Sequence, residues 1–317
     1  MSRTYSISIE TLAALFCALA TPAHSSIFDR DDRQYVSPVR GSAYSPVGRV
    51  TRGGPLSPWR SYTTGFLIDD CHVLTSQGVL GYGQAPLGKH VRFDAGIGTP
   101  QHESTRGTVV AAGGFRRNRT GEEQYERGGR DWLLLRLDKC VGLTLGHVTL
   151  KTGPYSPYEF RSLQSVGYPA HRSKARGLTV DPSCRVVAGR GTVWLNDCAT
   201  VKGDAGDPIF RIYAAGPKPH MEVYAMQSAG FRGRSPVLLK SGYENQAVPM
   251  SLIAPQIERY LSSTLRAVPS RGGIVETKQL DAIPHVGGSP SIVADSRLLD
   301  SRLVESDARS NPTSRTE

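Results

Sequence analysis

The stretch VKGDAGDPIF at residues 201–210 sets two glycines around an Asp-Ala pair and runs directly into an apolar segment. Glycines this close together mark a tight turn, because a residue without Cβ enters left-handed backbone conformations at little steric cost. The side chain at the middle of the turn is that of Ala205, whose methyl group can neither attack a carbonyl nor move a proton. The turn is well specified, yet nothing at its centre can react.

Outward from this turn the chain alternates short apolar or β-branched runs with Gly, Pro and charged breaks. Upstream lie VGRVT (47–51), GFLI (65–68), HVLT (72–75), HVRFD (90–94), GTVVAAG (107–113) and WLLLRL (132–137). RSLQSVGY (161–168), CRVVAG (184–189), GTVWLN (191–196), PIFRIYA (208–214) and MEVYAMQSA (221–229) continue the series. Frequent short strands without long amphipathic helices between them indicate an all-β barrel or sandwich. One helix is predicted within VPMSLIAPQIERYLSS, where Leu252, Ile253, Ile257, Tyr260 and Leu261 share a face at helical spacing. Residues 24–45 read as an extended N-terminal arm, 46–262 as the folded domain and 263–317 as a flexible tail rich in Ser, Arg, Gly, Asp and Pro.

The chain has 317 residues, of which 38% are hydrophobic, enough for a substantial core, and its 34 Gly and 21 Pro require many turns. No apolar run reaches the roughly 20 residues that span a bilayer. The first 23 residues have the layout of an export signal: Arg3, the short apolar stretch TLAALFCALA, then small residues before a cleavage point near Ala23 or Ser25. A buried N-terminal helix is the competing reading. Beyond Cys17 the chain holds Cys71, Cys140, Cys184 and Cys198, an even set that suits two disulfides in a secreted or periplasmic protein. Their spacing shows no Cys-x-x-Cys or Cys/His zinc pattern, so neither metal nor cofactor is expected. A net charge of +10 favours contact with anionic surfaces. The densest basic cluster, FRRNR at 115–119, comes with no nucleic-acid module, and a solvated basic loop is its plainer reading.

Five segments, in order, resemble the trypsin/chymotrypsin-like serine proteases, particularly the bacterial glutamyl-endopeptidase-like branch. They are TTGFLIDDCHVLTSQGVL (63–80), GRDWLLLRLD (129–138), VGYPAHR (166–172), LNDCATVKGDAGDPIF (195–210) and NQAVPMSLIAP (245–255). The resemblance covers most of residues 46–262 and implies two antiparallel six-stranded β-barrels closed by a C-terminal helix. It also implies a cleft that holds an extended peptide, and the lack of a long apolar run leaves no transmembrane segment expected.

Serine-type hydrolysis needs a hydroxyl nucleophile, an imidazole base and a carboxylate that orients the imidazole. By the resemblance, the histidine position falls on Gly78, the aspartate on Asp131 and the nucleophile on Ala205. His72 precedes the motif and belongs on a strand. Gly203, Asp204 and Ala205 keep the backbone that forms an oxyanion hole in the family, a device that uses amides rather than side chains. Asp204 matches an aspartate that pairs with a freed N-terminus in the family, with no evident partner here. Asp207 stands where the family has Gly or Ser and would bring a charge toward the cleft. Ser76 and Gln77 flank Gly78, but neither is a base near neutral pH, and His90, His102 and His171 are the candidates for delivering one from elsewhere. Cys184 and Cys198 bound CRVVAGRGTVWLNDC, which reads as a hairpin around AGRG and would pair them, and Cys71 and Cys140 would then pair by default. Free thiols or crossed bridges are the alternatives. The expectation is an exported, non-catalytic protease homologue (a pseudoprotease) that binds a peptide or protein partner. An active endopeptidase with an atypical triad and a charge-driven adhesion module are the rival readings.

Overall fold

In the computed structural model, the residues described are 31–53, 61–81, 86–114, 128–153, 155, 156, 159, 162–170, 177–214, 218–228 and 245–266. The chain divides into compact units Met1–Pro269 and Ser270–Glu317, and all described residues lie in the first. The signal, the FRRNR cluster, His171 and the tail beyond residue 266 fall outside the described residues.

Six strands close a barrel. They are β2 (Val47–Arg52), β3 (Ser61–Leu67), β4 (His72–Thr75), β5 (His90–Ala95), β6 (Glu103–Ala112) and β7 (Leu133–Leu137), joined in the order β2-β3-β4-β7-β6-β5, with β5 returning to β2. The unbroken apolar run of β7 follows from its place between two cores. Side chains alternate along a strand. Leu133, Leu135 and Leu137 therefore fill the barrel interior with Val73 and Phe93, whereas Leu134 turns outward. There it joins Phe66, Leu74 and Trp132 against Val166, Leu178 and Phe210 of the second half.

The second half is a nine-stranded sheet. It comprises β1 (Gln34–Val36), β8 (Thr149–Leu150), β9 (Leu163–Gly167), β10 (Leu178–Cys184), β11 (Val186–Arg190), β12 (Val193–Asn196), β13 (Pro208–Tyr213), β14 (His220–Gln227) and β15 (Asn245–Pro249). Its path runs β1-β10-β9-β13-β14-β15-β12-β11, with β8 parallel to β14. The all-β, two-part architecture with a closing helix is as expected. The second half is a nine-stranded sheet where a six-stranded barrel was expected: β1, from the N-terminal arm, adds to the edge at β10, β8 adds to β14, and the run 178–190 is divided at Arg185 into β10 and β11.

A short helix, α1 (Gly142–Leu145), follows β7, and α2 (Met250–Arg266) ends the described chain. The inner face of α2 is Met250, Ile253, Ala254 and Ile257. Leu252, expected on that face, is exposed, because the helix starts at Met250 and Met250 takes the inward position instead. Cys71 pairs with Cys140 at a Cα–Cα distance of 4.2 Å, and Cys184 with Cys198 at 4.8 Å. The first bridge ties the turn before β4 to the segment after β7, and the second closes the β10–β12 region just before the GDAG turn.

Candidate active site

The site is built from the end of β4, the loop before β7, the end of β14 and the GDAG turn before β13. Asp131 is fully buried. Its carboxylate accepts from the Gln77 amide at 2.9 Å, from Ser76 Oγ at 3.0 and 3.1 Å, and from Ser228 Oγ at 2.6 Å. A buried carboxylate is tolerated only when its lone pairs are met, and here hydroxyls and an amide meet them. Ser76 is itself fully buried and also accepts from the Gly78 amide at 3.1 Å, capping the 3-10 turn Gln77–Leu80. Gly78 offers no imidazole, and the Ser76 hydroxyl takes up carboxylate oxygens that an imidazole N–H would otherwise claim. Ser76 and Ser228 are the residues that sequence reading did not assign to Asp131. Ser228 is the last described residue before the gap that begins at residue 229.

His72, His90 and His102 are each engaged away from Asp131. His72 sits on β4 with Nδ1 2.8 Å from Asp69 Oδ2, an arrangement that, with the Cys71 and His72 amides, holds the Asp69 carboxyl below its usual range despite partial burial. His90 Nδ1 lies 3.0 Å from Thr108 Oγ1, and His102 Nε2 3.4 Å from Asp94 Oδ1. None of these rings is paired with a serine.

The GDAG turn keeps its backbone strictly. Gly203 has φ +105° and Gly206 φ +91°. A Cβ on Gly203 would collide with the Tyr168 carbonyl, and one on Gly206 with the Thr64 carbonyl, so both positions require glycine. The Lys202 carbonyl accepts from the Ala170 amide at 2.6 Å, and the Ala205 carbonyl from the Thr64 amide at 2.9 Å. Thr64 Oγ1 donates to the Gly203 carbonyl at 3.2 Å and accepts from the Tyr168 amide at 2.9 Å. The turn is thereby pinned to both halves of the molecule.

Beneath it lies a charge arrangement that sequence reading missed. Arg33, just ahead of β1, donates from Nη1 to Asp204 Oδ2 at 2.8 Å and from Nε to Asp31 Oδ1 at 2.9 Å. The side chains of Arg33 and Asp204 are 3% and 2% exposed, which makes this a buried ion pair. Asp204 Oδ2 also accepts from the Val201 amide at 2.8 Å. The partner of Asp204 is therefore an internal guanidinium. An isolated arginine in a polar arm gives no pattern by which it could be singled out.

Asp207 is 3% exposed, so it is not the cleft charge that its position suggested. Its carboxyl folds inward onto Gly167, where a Cβ would overlap it. Burial pushes both Asp204 and Asp207 upward from the usual carboxylate range. For Asp204 the Arg33 cation opposes that push, and for Asp207 the neighbouring Asp204 charge adds to it. The Arg33 cation therefore favours the charged form of Asp204, and the Asp204 charge disfavours that of Asp207. Asp181, on β10, is pushed up to about 6 by burial, partly offset by the Ala199 and Ser183 amides.

The described residues contain no group of His, Cys, Asp and Glu side chains able to hold a metal ion.

This barrel, sheet and closing helix constitute the trypsin-like serine-protease fold. A Glu endopeptidase structure matches at a TM-score of 0.54 with 17% identity, over 75% of this chain and 99% of that one. The protease Anisep from Arthrobacter nicotinovorans matches at 0.51 with 13% identity, over 73% and 99%. The scabies mite inactivated protease paralogue S-D1 matches at 0.50 with 13% identity, over 71% and 95%. At these identities the likeness establishes the fold. No family model and no curated protein sequence matches the chain.

Proposed function

We propose that this chain is an exported, non-catalytic serine-protease homologue whose cleft holds a polypeptide or a partner segment without cleaving it. The observation that carries this reading is the state of Asp131: its carboxylate is bonded by Ser76, Ser228 and the Gln77 amide, beside a glycine in place of a base. Across the cleft, Ala205 supplies no nucleophile. Proteases of this type stripped of their triad keep only about 10³–10⁴-fold acceleration over water, too little for protein turnover. Retention of the turn's hydrogen bonds and of its two obligatory glycines supports a continuing role for the cleft. The inactivated paralogue among the structural neighbours is a precedent for this fold without the reaction. Two disulfides suit an oxidising compartment outside the cytosol, and in this reading residues 1–23 are the signal that takes the chain there.

Incubation of the purified protein with a fluorophosphonate probe tests this directly. The expected result is no labelling at any serine. Stoichiometric labelling, located by mass spectrometry, would establish the rival reading of an active enzyme with an unconventional nucleophile.

A further inference from the structure

We propose that the outer face of the barrel carries a site for a tetrahedral oxyanion, phosphate or sulfate, built on Arg49, Thr51 and Arg92. It involves neither Asp131 nor the GDAG turn, and it stands independently of what the cleft binds.

Strand register brings the site together. Side chains alternate along a strand, and residues directly opposite on paired strands share a face. Val50 and Phe93 point into the barrel core, so Arg49, Thr51, Arg92 and Asp94 point out of it. Across β2, β5 and β6 they form two rows, Arg49–Asp94–Ser104 and Thr51–Arg92–Arg106. Two guanidiniums and an imidazole converge here on one carboxylate that is 2% exposed. Asp94 Oδ2 accepts from Arg92 Nε at 2.9 Å and lies 3.9 Å from Arg49 Nη2, while Oδ1 lies 3.4 Å from His102 Nε2. The guanidiniums alone outnumber the carboxylate, which leaves a surplus positive charge. Arg106, directly opposite Arg92, spends its Nε on Asp138 at 2.8 Å. Like charges directly opposite in a sheet are destabilising. Each of these two arginines is anchored through Nε, and its terminal nitrogens donate to no acceptor among the described residues.

A second observation, on β2, points to a ligand. Arg49 Nε and Thr51 Oγ1 are buried and have no hydrogen-bond partner among the described residues. Thr51 is 6% exposed. A guanidinium nitrogen can only donate, and a hydroxyl can donate as well. Buried polar atoms without partners are few in native proteins and mark places where an ion or water belongs. Arg49 is held over the Tyr62 ring, 5.7 Å from its centroid. The side chains of Arg49 and Arg92 nevertheless remain 29% and 43% exposed, so an anion reaches them from solvent.

The donor set selects the anion. Arg49 and Arg92 are diagonal neighbours, about 7–8 Å apart along the sheet, and Thr51 stands directly opposite Arg92. Each guanidinium can engage two oxygens. Two such groups and a hydroxyl, beside a surplus of positive charge, suit an anion with more than two oxygens and more than one charge. A carboxylate has neither, whereas phosphate and sulfate have both.

The test is calorimetric titration of the full chain with sodium sulfate, sodium phosphate and sodium acetate, at equal ionic strength and slightly alkaline pH. Sulfate and phosphate should bind saturably, and acetate at least about tenfold more weakly. Arg92→Gln and Arg49→Gln should each weaken sulfate binding about tenfold or more. Arg259→Gln, which removes the same charge from the closing helix, should leave it unchanged. Arg92→Lys keeps the charge and loses the fork; it should weaken binding severalfold, and it serves if the glutamine variants unfold. Phenyl phosphate and phenyl sulfate then compare the two esters, and tighter binding of either supports the site and names its ligand. Absence of saturable binding by both ions would overturn the proposal, and acetate binding as tightly as sulfate would overturn the tetrahedral assignment. Unchanged affinity in a folded Arg92→Gln variant, or an equal loss in Arg259→Gln, would overturn the location.

Discussion

The surroundings of Asp131 and the GDAG turn are held in place by different means. On the Asp131 side, side-chain donors predominate: the Ser76 and Ser228 hydroxyls and the Gln77 amide satisfy the carboxylate, and Ser76 also caps the 3-10 turn Gln77–Leu80. On the GDAG side the backbone is kept, held by two obligatory glycines, by Thr64 and by a buried Arg33–Asp204 pair. The difference shows that a buried carboxylate can be satisfied by several donors, whereas a loop that positions amides depends on a particular backbone path and on what lies beneath it.

The largest effect in breaking this contrast is expected from Arg33→Ala. It strands the Asp204 carboxylate in the interior, and removing one partner of a buried pair costs about 3–5 kcal/mol. Urea unfolding should show a stability loss of that size together with faster proteolysis around residues 201–207. A change within experimental error would mean that the pair does not hold the turn.

Next comes the Cys184→Ser/Cys198→Ser variant, which opens a loop of 14 residues just ahead of the turn. Chain-entropy reasoning gives a loss of about 3 kcal/mol. Equal unfolding midpoints for the variant and the oxidised protein would contradict it.

Asp207→Asn sharpens the comparison through pH. The folded state keeps the Asp207 proton well above 3.8, the value the group has when unperturbed. Above that value the unfolded chain releases the proton while the fold retains it, so stability falls as pH rises, by about 1.4 kcal/mol per unit per retained proton. The loss ends where Asp207 ionises in the fold. Asp181 adds the same sign of dependence up to about pH 6. Asp207→Asn mimics the protonated group, so its gain over wild type should grow as pH rises above about 4. Denaturation series across this range measure that difference. A constant difference would place the proton elsewhere.

The smallest effect belongs to Ser76→Ala. Loss of a hydroxyl that caps the 3-10 turn and meets Asp131 should cost about 1–2 kcal/mol. Thermal unfolding reads it directly. A neutral result would show that the Gln77 amide and Ser228 suffice for the carboxylate.

Much of the barrel was legible because its strands carry clear signals. HVLT and the run ending in LLLRL appear as β4 and β7, with Leu134 facing one core and Leu133 and Leu135 the other. β1 was not legible: three residues at a sheet edge, two of them exposed, carry no alternation to read. Asp131 and the GDAG turn could be found because they lie in locally distinctive segments. Arg33 could not, since its meaning comes entirely from a contact with Asp204, 171 residues away. Asp207 was misplaced for a related reason. Its burial depends on the space left by Gly167 on a different strand.

The account is tested most directly by ester hydrolysis, with the wild-type chain compared to a Gly78→His/Ala205→Ser/Ser76→Ala variant. The third change frees Asp131 to accept from a restored imidazole. Wild-type turnover that is insensitive to phosphonate and far below the measurable, phosphonate-sensitive turnover of the triple variant is the predicted result. Wild-type turnover matching the variant, or a folded variant that stays silent, would contradict the claim that the loop backbone persists after its side-chain chemistry has gone.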